Sequence, residues 1–426
     1  MAFQNTAQWL AARLLLIHNS PPLANGPREI IMFEELPILP PDSILGLAAE
    51  CRADPNPDKV DLTIGIYMDE SGNCPVFNAV RLAQHQLIDE EQTKSYIPPQ
   101  GDSSFISGLV ELVVGADVLA ARAGCVGAVQ APGGCGAVRL GAEVLKASGT
   151  KGKVWVSDPT WPVHVPLITS TGLELAQYRY YDPATHGVDF VAMTEDLATA
   201  GAGDIVLLHG CCHNPSGADL TPEQWREIAD MAASQGFTPM VDLAYQGFGE
   251  GLDADVYGLR YLIEHVPEVV IAASLSKNMG LYRERTGLAI FVGPDTRTAE
   301  ATVSQAKAAA RRIYSMPPAH GALLAGRVLG DPILRTDWET ELTEMCARIN
   351  GLRSEFQRRL EEATGRDFGF IAKENGMFSF LGLSEEQAQR VRSERGLYML
   401  NSSRINIASL NAANMDRVVA AVTSVL

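Results

Sequence analysis

Residues 269–287 read "VVIAASLSKNMGLYRERTG". The segment begins with a short apolar run, which predicts a buried strand that ends in a polar cluster. Lys277 therefore lies just beyond the end of that strand. Burying a lysine ammonium is costly and lowers its pKa, unless the group is paired or has a chemical role. An isolated lysine more often extends its ammonium group to water, so the rest of the sequence has to decide between these interpretations.

The segments on either side predict an α/β fold. Strands are predicted at residues 153–158, 204–210, 238–245 and 287–293, and helices at residues 136–148, 221–234 and 298–314. Strands separated by helices imply a mostly parallel sheet that is covered on both faces. From residue 338 a charged amphipathic helix, a short strand, another helix and a further strand follow, which indicates a second, smaller α+β domain.

Composition excludes several classes of function. The chain has 426 residues, enough for two or three domains, and its formal net charge of −17 opposes nonspecific binding to nucleic acid or to anionic membranes. Its apolar runs are all shorter than the roughly 18 residues that span a bilayer. The seven cysteines form no CxxC pair and no zinc-like array, which favours reduced thiols and a cytoplasmic protein without a bound metal.

Residues 1–31 differ from the rest of the chain. They contain a single acidic residue, Glu29, and a loop-like "NSPPLANGP". We predict that Met32 is the functional start; a targeting peptide is the alternative.

Polar side chains follow the predicted strands. In open α/β sheets, ligands bind beyond the carboxyl ends of the strands, so these side chains are expected to converge on one crevice. The glycine-rich turn "PGGCGA" at residues 132–137 also leads into a helix and offers backbone N–H groups to an anion, although such turns are common. The polar or aromatic residues at the strand ends are Asp158, Trp161, His213, Asn214, Asp242, Tyr245, Ser274, Ser276 and Lys277.

Several long motifs in order resemble those of one family. They are "SDPTWPVH", "HGCCHNPSGADLTPEQW", "VDLAYQGFGEG", "SLSKNMGLYRERTG", "YSMPPAHGA" and "SRINIAS". This set resembles the aspartate and aromatic amino acid aminotransferases, which use pyridoxal 5′-phosphate on the fold-type-I scaffold. The resemblance runs from about Met32 to the C-terminus. It implies a large domain with a mostly parallel seven-stranded sheet, and a smaller α+β domain.

The resemblance also implies a division of the chain. Residues 1–31 are an extension, residues 32–74 an N-terminal arm with part of the small domain, residues 75–344 the large cofactor-binding domain, and residues 345–426 the small C-terminal domain.

The resemblance assigns catalytic and cofactor-binding roles. Lys277 is the lysine that forms a Schiff base with the cofactor and, once released, the general base. Asp242 is the acidic partner of the pyridine nitrogen. Trp161 stacks on the ring, and Asn214 and Tyr245 bind the ring oxygen.

Further residues are implied to hold the cofactor. His164 supports the buried aspartate, with an ordinary core histidine as the alternative. The phosphate is held by Ser274, by Arg285, by the turn that contains Gly134 and Cys135, and by Tyr96 of the neighbouring subunit. A site shared in this way implies a homodimer.

Two arginines are implied to bind substrate, because arginine binds carboxylates bidentately. Arg404 matches the arginine that binds the α-carboxylate, beside Gly65, Trp161 and Asn214. Arg311 matches the one that reaches the distal carboxylate from the other subunit, and a solvated basic helix face is its alternative. With Arg311 in that role, 2-oxoglutarate is the expected amino acceptor.

Some positions depart from the family pattern. Cys135 replaces a hydroxyl residue and is a weaker donor to phosphate. Met68, Cys74 and Met316 replace polar or charged residues, and such a polarizable rim suits an aromatic side chain.

The sequence therefore predicts ping-pong transfer of the amino group from phenylalanine or tyrosine, and from aspartate, to 2-oxoglutarate. A strictly aspartate-specific aminotransferase and a lyase or decarboxylase on the same scaffold are the alternatives. A transcription regulator is disfavoured, because the N-terminal extension is too short and carries too little positive charge for a DNA-binding module.

Overall fold

The computed structural model describes residue 33, residues 36–40 and residues 42–426. The predicted start at Met32 lies outside the described residues. Residues 43–426 form one compact unit. In the short described part before it, Phe33 and Ile38 expose most of their apolar side chains.

The strands and helices are numbered here in chain order. Strands β1 to β13 are Val60–Asp61, Val126–Pro132, Lys153–Asp158, Glu174–Arg179, Tyr181–Asp182, Gly187–Val188, Ile205–His209, Thr238–Leu243, Val269–Ser274, Thr286–Val292, Phe378–Phe380, Leu397–Tyr398 and Arg404–Asn406. Helices α1 to α15 are Ser43–Ala53, Asn78–Glu90, Ser103–Val114, Ala116–Ala121, Gly133–Ala147, His164–Thr169, Phe190–Leu197, Pro222–Gln235, Tyr257–His265, Thr296–Ile313, His320–Gly330, Pro332–Thr364, Phe370–Lys373, Glu385–Arg395 and Met415–Thr423. Short 3₁₀ turns lie at Ala254–Val256 and Ile407–Ser409.

The central sheet has seven strands in the order β2-β10-β9-β8-β7-β3-β4. The pairs from β9 to β4 are parallel, and β10 runs antiparallel to both of its neighbours. The prediction of an α/β fold with a mostly parallel sheet is confirmed.

Both faces of this sheet are buried. In β7, Ile205 and Leu207 belong to one apolar cluster, whereas Val206 and Leu208 belong to another. Because successive side chains of a strand point to opposite faces, this alternation places one apolar layer on each side of the sheet. The continuous apolar runs that predicted these strands reflect this double burial.

Local signals fix several helix ends. Thr221 caps α8, and its hydroxyl and the Gln224 side chain form the reciprocal bonds of the predicted capping box. Helix α12 begins at Pro332, before the predicted start at residue 338, because Asp331 accepts hydrogen bonds from the first free backbone N–H groups. The predicted domain boundary after residue 344 falls within this helix, and the division into domains stays a prediction.

Two small sheets lie outside the central one. Strand β1 pairs with β12 in parallel, and β11 pairs with β13 in antiparallel fashion, with Phe380 opposite Arg404. The pairing of β11 with β13 helps to place Arg404 at the site described below. Among the described residues, each helix is too short or too polar to cross a bilayer.

Candidate active site

A cavity of about 230 Å³ opens beyond the carboxyl ends of β8 and β9. This is where the parallel strands of an open sheet are expected to bind a ligand. Its wall is formed by Ile44, Gly65, Gly134, Cys135, Trp161, His209, Cys211, Asn214, Asp242, Ala244, Tyr245, Ser274, Ser276, Lys277, Tyr282, Arg285, Phe378 and Arg404. The structure thus brings together most of the residues that the sequence singled out.

Lys277 follows β9 directly, so the strand fixes where its side chain enters the cavity. Burial lowers the pKa of Lys277, and the nearby carboxylate of Asp242 offsets this only in part. The amine nitrogen lies 4.6 Å from the centre of the Tyr245 ring. A lysine with a lowered pKa has a larger fraction of neutral, nucleophilic amine at neutral pH.

Asp242 lies in β8 and is held from one side. Its Oδ2 accepts a hydrogen bond of 2.9 Å from Nε2 of His164, whose side chain is fully buried. Burial would raise the pKa of Asp242, but the bond from His164 and the nearby positive charges hold it below the ordinary value. The other oxygen, Oδ1, is buried and accepts no hydrogen bond from any residue that the structure describes.

A chain of polar side chains supports this aspartate from behind. The Thr160 hydroxyl lies 2.8 Å from Nδ1 of His164 and 3.3 Å from Nε2 of His209. His209 is the residue of β7 directly opposite Asp242 of β8 in the parallel register. Burial and the neighbouring His164 lower the pKa of His209 to about 3, so this ring is neutral at physiological pH.

The glycine turn and the segment after β9 form a polar cradle. Helix α5 begins at Gly133, so its free backbone N–H groups lie at the cavity, where Gly134 and Cys135 line the wall. A Cβ on Gly133, whose φ is +72°, would lie 2.4 Å from the guanidinium Nη2 of Arg285. The turn therefore needs glycine there, both for its left-handed backbone and for the close approach of the guanidinium.

Hydroxyl and guanidinium groups complete the cradle. The Ser276 backbone N–H donates to Oγ of Ser274 at 3.1 Å, and the two serine hydroxyls lie 2.9 Å apart. Arg285 donates to the carbonyl of Tyr282 at 2.7 Å. Burial raises the pKa of the Cys135 thiol, which therefore stays protonated and offers only a weak donor.

Arg404 is the third basic residue of the cavity wall and is almost fully buried. It donates to the Thr63 carbonyl at 2.6 Å and to Oδ1 of Asn214 at 3.2 Å, and its guanidinium lies 4.2 Å from the centre of the Phe378 ring. Its Nε has no hydrogen-bond partner in the part of the chain that the structure describes. Burial lowers the pKa of Arg404 to about 10, so the group is cationic at neutral pH. A buried cation that has a hydrogen-bond donor without a partner suits a carboxylate ligand.

Trp161, Tyr245 and Gly65 also line the cavity. The Trp161 ring meets that of His164 edge to face at a centroid distance of 5.2 Å. Burial raises the pKa of the Tyr245 phenol, so it stays protonated and can donate a hydrogen bond. A Cβ on Gly65 would lie 2.4 Å from the Phe378 ring, which explains why glycine is found there.

Several residues that the sequence had connected with the site, Asp158 among them, do not line this cavity. Tyr96 is 88% exposed, and Arg311 is exposed at the end of α10, where it contacts Ser315 and Met316. Both were predicted to act in the site of a neighbouring subunit, and that role stays a prediction. The rim residues Met68, Cys74 and Met316 also lie outside the cavity wall.

Sequence reasoning missed other residues of the site. Thr160, His209 and Tyr282 lie within quoted motifs but were given no role, and Phe378 lies in the short strand predicted after the helix that starts at residue 338. For His209 a signal existed, because it ends a predicted strand beside the strand that carries Asp242. His213 was favoured instead, yet it lies behind the wall, between Ser157 and Ser216.

These residues fit pyridoxal phosphate. The buried Oδ1 of Asp242 has no hydrogen-bond partner among the described residues, so it can accept a bond from a ring N–H. The cradle formed by α5, Ser274 and Arg285 offers hydrogen-bond donors to a phosphate. Lys277 lines the same cavity and offers the amine that would form a Schiff base with the aldehyde.

Comparisons with known proteins agree with this geometry. The family model "Aminotransferase class I and II" matches residues 57–422. The chain belongs to this aminotransferase family. The predicted family and the predicted fold class are thereby confirmed.

Two similar relatives of this aminotransferase carry different names. It is 44% identical over 396 residues to the aspartate aminotransferase of Escherichia coli (strain K12), covering 93% of this chain and 100% of the relative. It is 45% identical over 372 residues to the aromatic-amino-acid aminotransferase of Paracoccus denitrificans, covering 87% of this chain and 94% of the relative.

A solved structure of an aromatic-amino-acid aminotransferase from Burkholderia pseudomallei, covalently bound to pyridoxal phosphate, matches this aminotransferase with a TM-score of 0.90. The two are 38% identical, and the match covers 93% of this chain and 99% of that one.

Proposed function

We propose that this chain is a pyridoxal-phosphate-dependent aminotransferase that moves the amino group of an aromatic amino acid, and of aspartate, to 2-oxoglutarate by a ping-pong mechanism. One observation carries the proposal. A single cavity holds the buried amine of Lys277, the unpartnered Oδ1 of Asp242 and the open donor edge of Arg404. Solved and curated relatives with aspartate and aromatic aminotransferase names support it.

The residues of the chain divide the work. Pyridoxal phosphate, when bound, supplies an electron sink for the negative charge that develops at the substrate Cα. Asp242 keeps a proton on the ring nitrogen, because its pKa is low and its free oxygen can accept that N–H. His164, neutral His209 and the Thr160 hydroxyl hold the carboxylate in this orientation.

Lys277 acts as the base. Its Nζ accepts the proton released from the substrate Cα and returns it later in the same half-reaction, which requires a neutral amine. The lowered pKa of Lys277 favours this state. Tyr245 and Asn214 lie in the cavity wall and would donate hydrogen bonds to the ring oxygen of a bound cofactor.

Arg404 binds the α-carboxylate and so fixes the substrate for proton removal. Asn214 and the Thr63 carbonyl hold the guanidinium in place and leave Nε for the ligand. A bidentate, charge-assisted contact of this kind gives orientation as well as affinity.

The side chains of the cavity wall indicate which substrates fit. Trp161, Phe378 and Ile44 form apolar surface beside the charged groups, which suits an aromatic side chain. We infer that aspartate and 2-oxoglutarate are bound through Arg311 of a neighbouring subunit in a homodimer. The exposure of Arg311 and Tyr96 supports this arrangement. A cytoplasmic location stays a prediction.

The test is a set of absorption spectra of the purified protein. We expect a band of lysine-bound cofactor near the visible edge that disappears with phenylalanine, tyrosine or aspartate and returns with 2-oxoglutarate. Concentration dependence ranks the donors, and a response to aspartate alone would leave the strictly aspartate-specific alternative. A Lys277→Ala variant is the control, since it should not respond in this way. Absence of the band after pyridoxal phosphate is added would overturn the proposal.

A further inference from the structure

A second buried arginine, Arg353, lies outside the cavity, in the second half of α12. It is 1% exposed and forms an ion pair of 3.2 Å with Glu374, which is 3% exposed. A buried ion pair is weak grounds for a stabilising role, because desolvation offsets most of the attraction. The other contacts of the guanidinium are therefore the informative ones.

The guanidinium of Arg353 is enclosed by the backbone of residues 371–378. It donates to the carbonyl of Phe378 at 2.6 Å, to that of Gly376 at 2.7 Å and to that of Ile371 at 2.9 Å. Because the arginine fork is planar and rigid, these bonds fix the carbonyls relative to one another. The conformation of the segment therefore depends on this one side chain.

The segment ends at Phe378, which forms part of the cavity wall. The Phe378 ring covers the guanidinium of Arg404 at 4.2 Å and lies so close to Gly65 that a Cβ there would be 2.4 Å from the ring. Strand β11, which begins at Phe378, also pairs with the strand that carries Arg404. Any shift of Phe378 therefore moves the face on which Arg404 rests.

The same segment is tied to the loop that carries Asn214. The Asn375 backbone N–H donates to the carbonyl of Gly217 at 2.8 Å. Asn214 in turn accepts a hydrogen bond from Arg404. The enclosed segment thus includes Phe378, whose ring covers Arg404, and is hydrogen-bonded to the loop that carries Asn214, the amide partner of Arg404.

We propose that Arg353 is a positioning residue for substrate binding. It acts through Phe378 to hold Arg404 in the orientation that receives the substrate α-carboxylate. This inference rests on the proposed role of Arg404. Arg353 touches neither substrate nor cofactor, so its loss affects carboxylate binding far more than the chemical step.

The test uses the cofactor-loaded enzyme and a ligand that cannot react. The probe is 3-phenylpropionate, which has one carboxylate and no amino group, and its Kd is measured by calorimetry beside kcat and KM for phenylalanine. Because weakening one charge-assisted contact to a carboxylate costs on the order of one to two powers of ten in affinity, we expect Arg353→Met to raise Kd and KM by roughly 10- to 100-fold. The value of kcat at saturating phenylalanine should fall by a clearly smaller factor, because Arg404 also orients the substrate for proton removal but the groups that carry out the chemistry are unchanged.

Two further variants keep the inference falsifiable. Arg353→Lys retains the buried cation without the fork, so it should fold and raise Kd by several-fold; an unchanged Kd overturns the inference even if Arg353→Met does not fold. Arg358→Met is the matched control, because Arg358 lies on the same helix but is half exposed and pairs with surface glutamates. It should leave Kd and KM unchanged, and an effect as large as that of Arg353→Met would overturn the inference.

Arg404→Lys separates the two levels of the argument. If it does not weaken 3-phenylpropionate binding, the proposed role of Arg404 fails. If it does, while both Arg353 variants bind the probe as the wild type does, Arg353 has only a structural role and the inference alone is overturned.

Discussion

Replacing Asp242 with asparagine tests the role of the negative charge that would pair with the ring nitrogen of the cofactor. The carboxylate accepts one hydrogen bond from His164 and keeps Oδ1 free in a buried position. Its lowered pKa means that it is ionised at neutral pH, despite burial. Asp242→Asn keeps the shape and one acceptor oxygen but removes the negative charge that would hold a proton on the ring nitrogen.

The expected magnitude follows from the cost of breaking a buried charged pair. Removing one partner of a buried, hydrogen-bonded charge pair costs roughly 2–5 kcal/mol. Because each 1.36 kcal/mol of barrier is about a tenfold change in rate, kcat should fall by roughly 30- to 5000-fold. KM for phenylalanine should change little, since Arg404 and the phosphate cradle are untouched.

The assay is the single-turnover rate with saturating phenylalanine, followed by the loss of cofactor absorbance. Cofactor content and thermal unfolding of Asp242→Asn serve as controls, because a lower rate is informative only for folded, loaded enzyme. A variant with full cofactor content and a rate within about threefold of the wild type would refute the argument.

Four further predictions concern other groups. Burial lowers the pKa of Lys277 below its ordinary value of 10.5. In stopped-flow absorbance, the rate at which the apo-protein binds pyridoxal phosphate should therefore rise with pH and reach a plateau below pH 10.5. A plateau reached only above pH 10.5 would contradict this prediction. Cys135→Ser should lower the Kd for pyridoxal phosphate by roughly 2- to 10-fold, in fluorescence titration of apo-protein, because a hydroxyl is the better donor and one hydrogen bond contributes about 0.5–1.5 kcal/mol. Arg311→Met should raise KM for aspartate by at least about tenfold but leave that for phenylalanine within about threefold, since only aspartate has a distal carboxylate; equal effects on both would contradict it. Trp338→Phe should lower the free energy of unfolding by about 1–3 kcal/mol in urea, because the indole N–H donates at 2.6 Å to the buried carbonyl of Asn278, which would be left unpaired; unchanged stability would be inconsistent with this.

The cluster at the strand ends could be predicted from sequence, and the physical reason is the parallel sheet. Asn214, Asp242, Tyr245 and Lys277 each follow or end a strand whose apolar run is easy to identify. Parallel strands end at the same edge, so short-range patterns alone bring these residues together. Arg404 lies in a strand of a separate small sheet, and only the family resemblance pointed to it.

The supporting residues could not be found in that way. The contact of Thr160 with two histidines depends on the turn after β3, and the contacts of Arg353 depend on how a helix of 33 residues packs on a segment that follows it in the chain. Neither position differs in pattern from an ordinary turn threonine or helix arginine. Tertiary packing decides such contacts, and a single sequence contains no periodic signal for them.

Charge explains why an acidic protein has a site for anions. The chain has a net charge of −17, yet the described residues that line the cavity include the basic residues Lys277, Arg285 and Arg404 and one carboxylate, Asp242. Unpaired buried cations are costly, so this excess is expected only where ligands supply the missing charge. A phosphate beside Arg285 and a substrate carboxylate beside Arg404 would supply negative charge of this kind. Since Asp242 lies in β8 and Arg404 in β13, the charges would also set the orientation of bound ligands, with a ring nitrogen toward β8 and the substrate carboxylate toward β13.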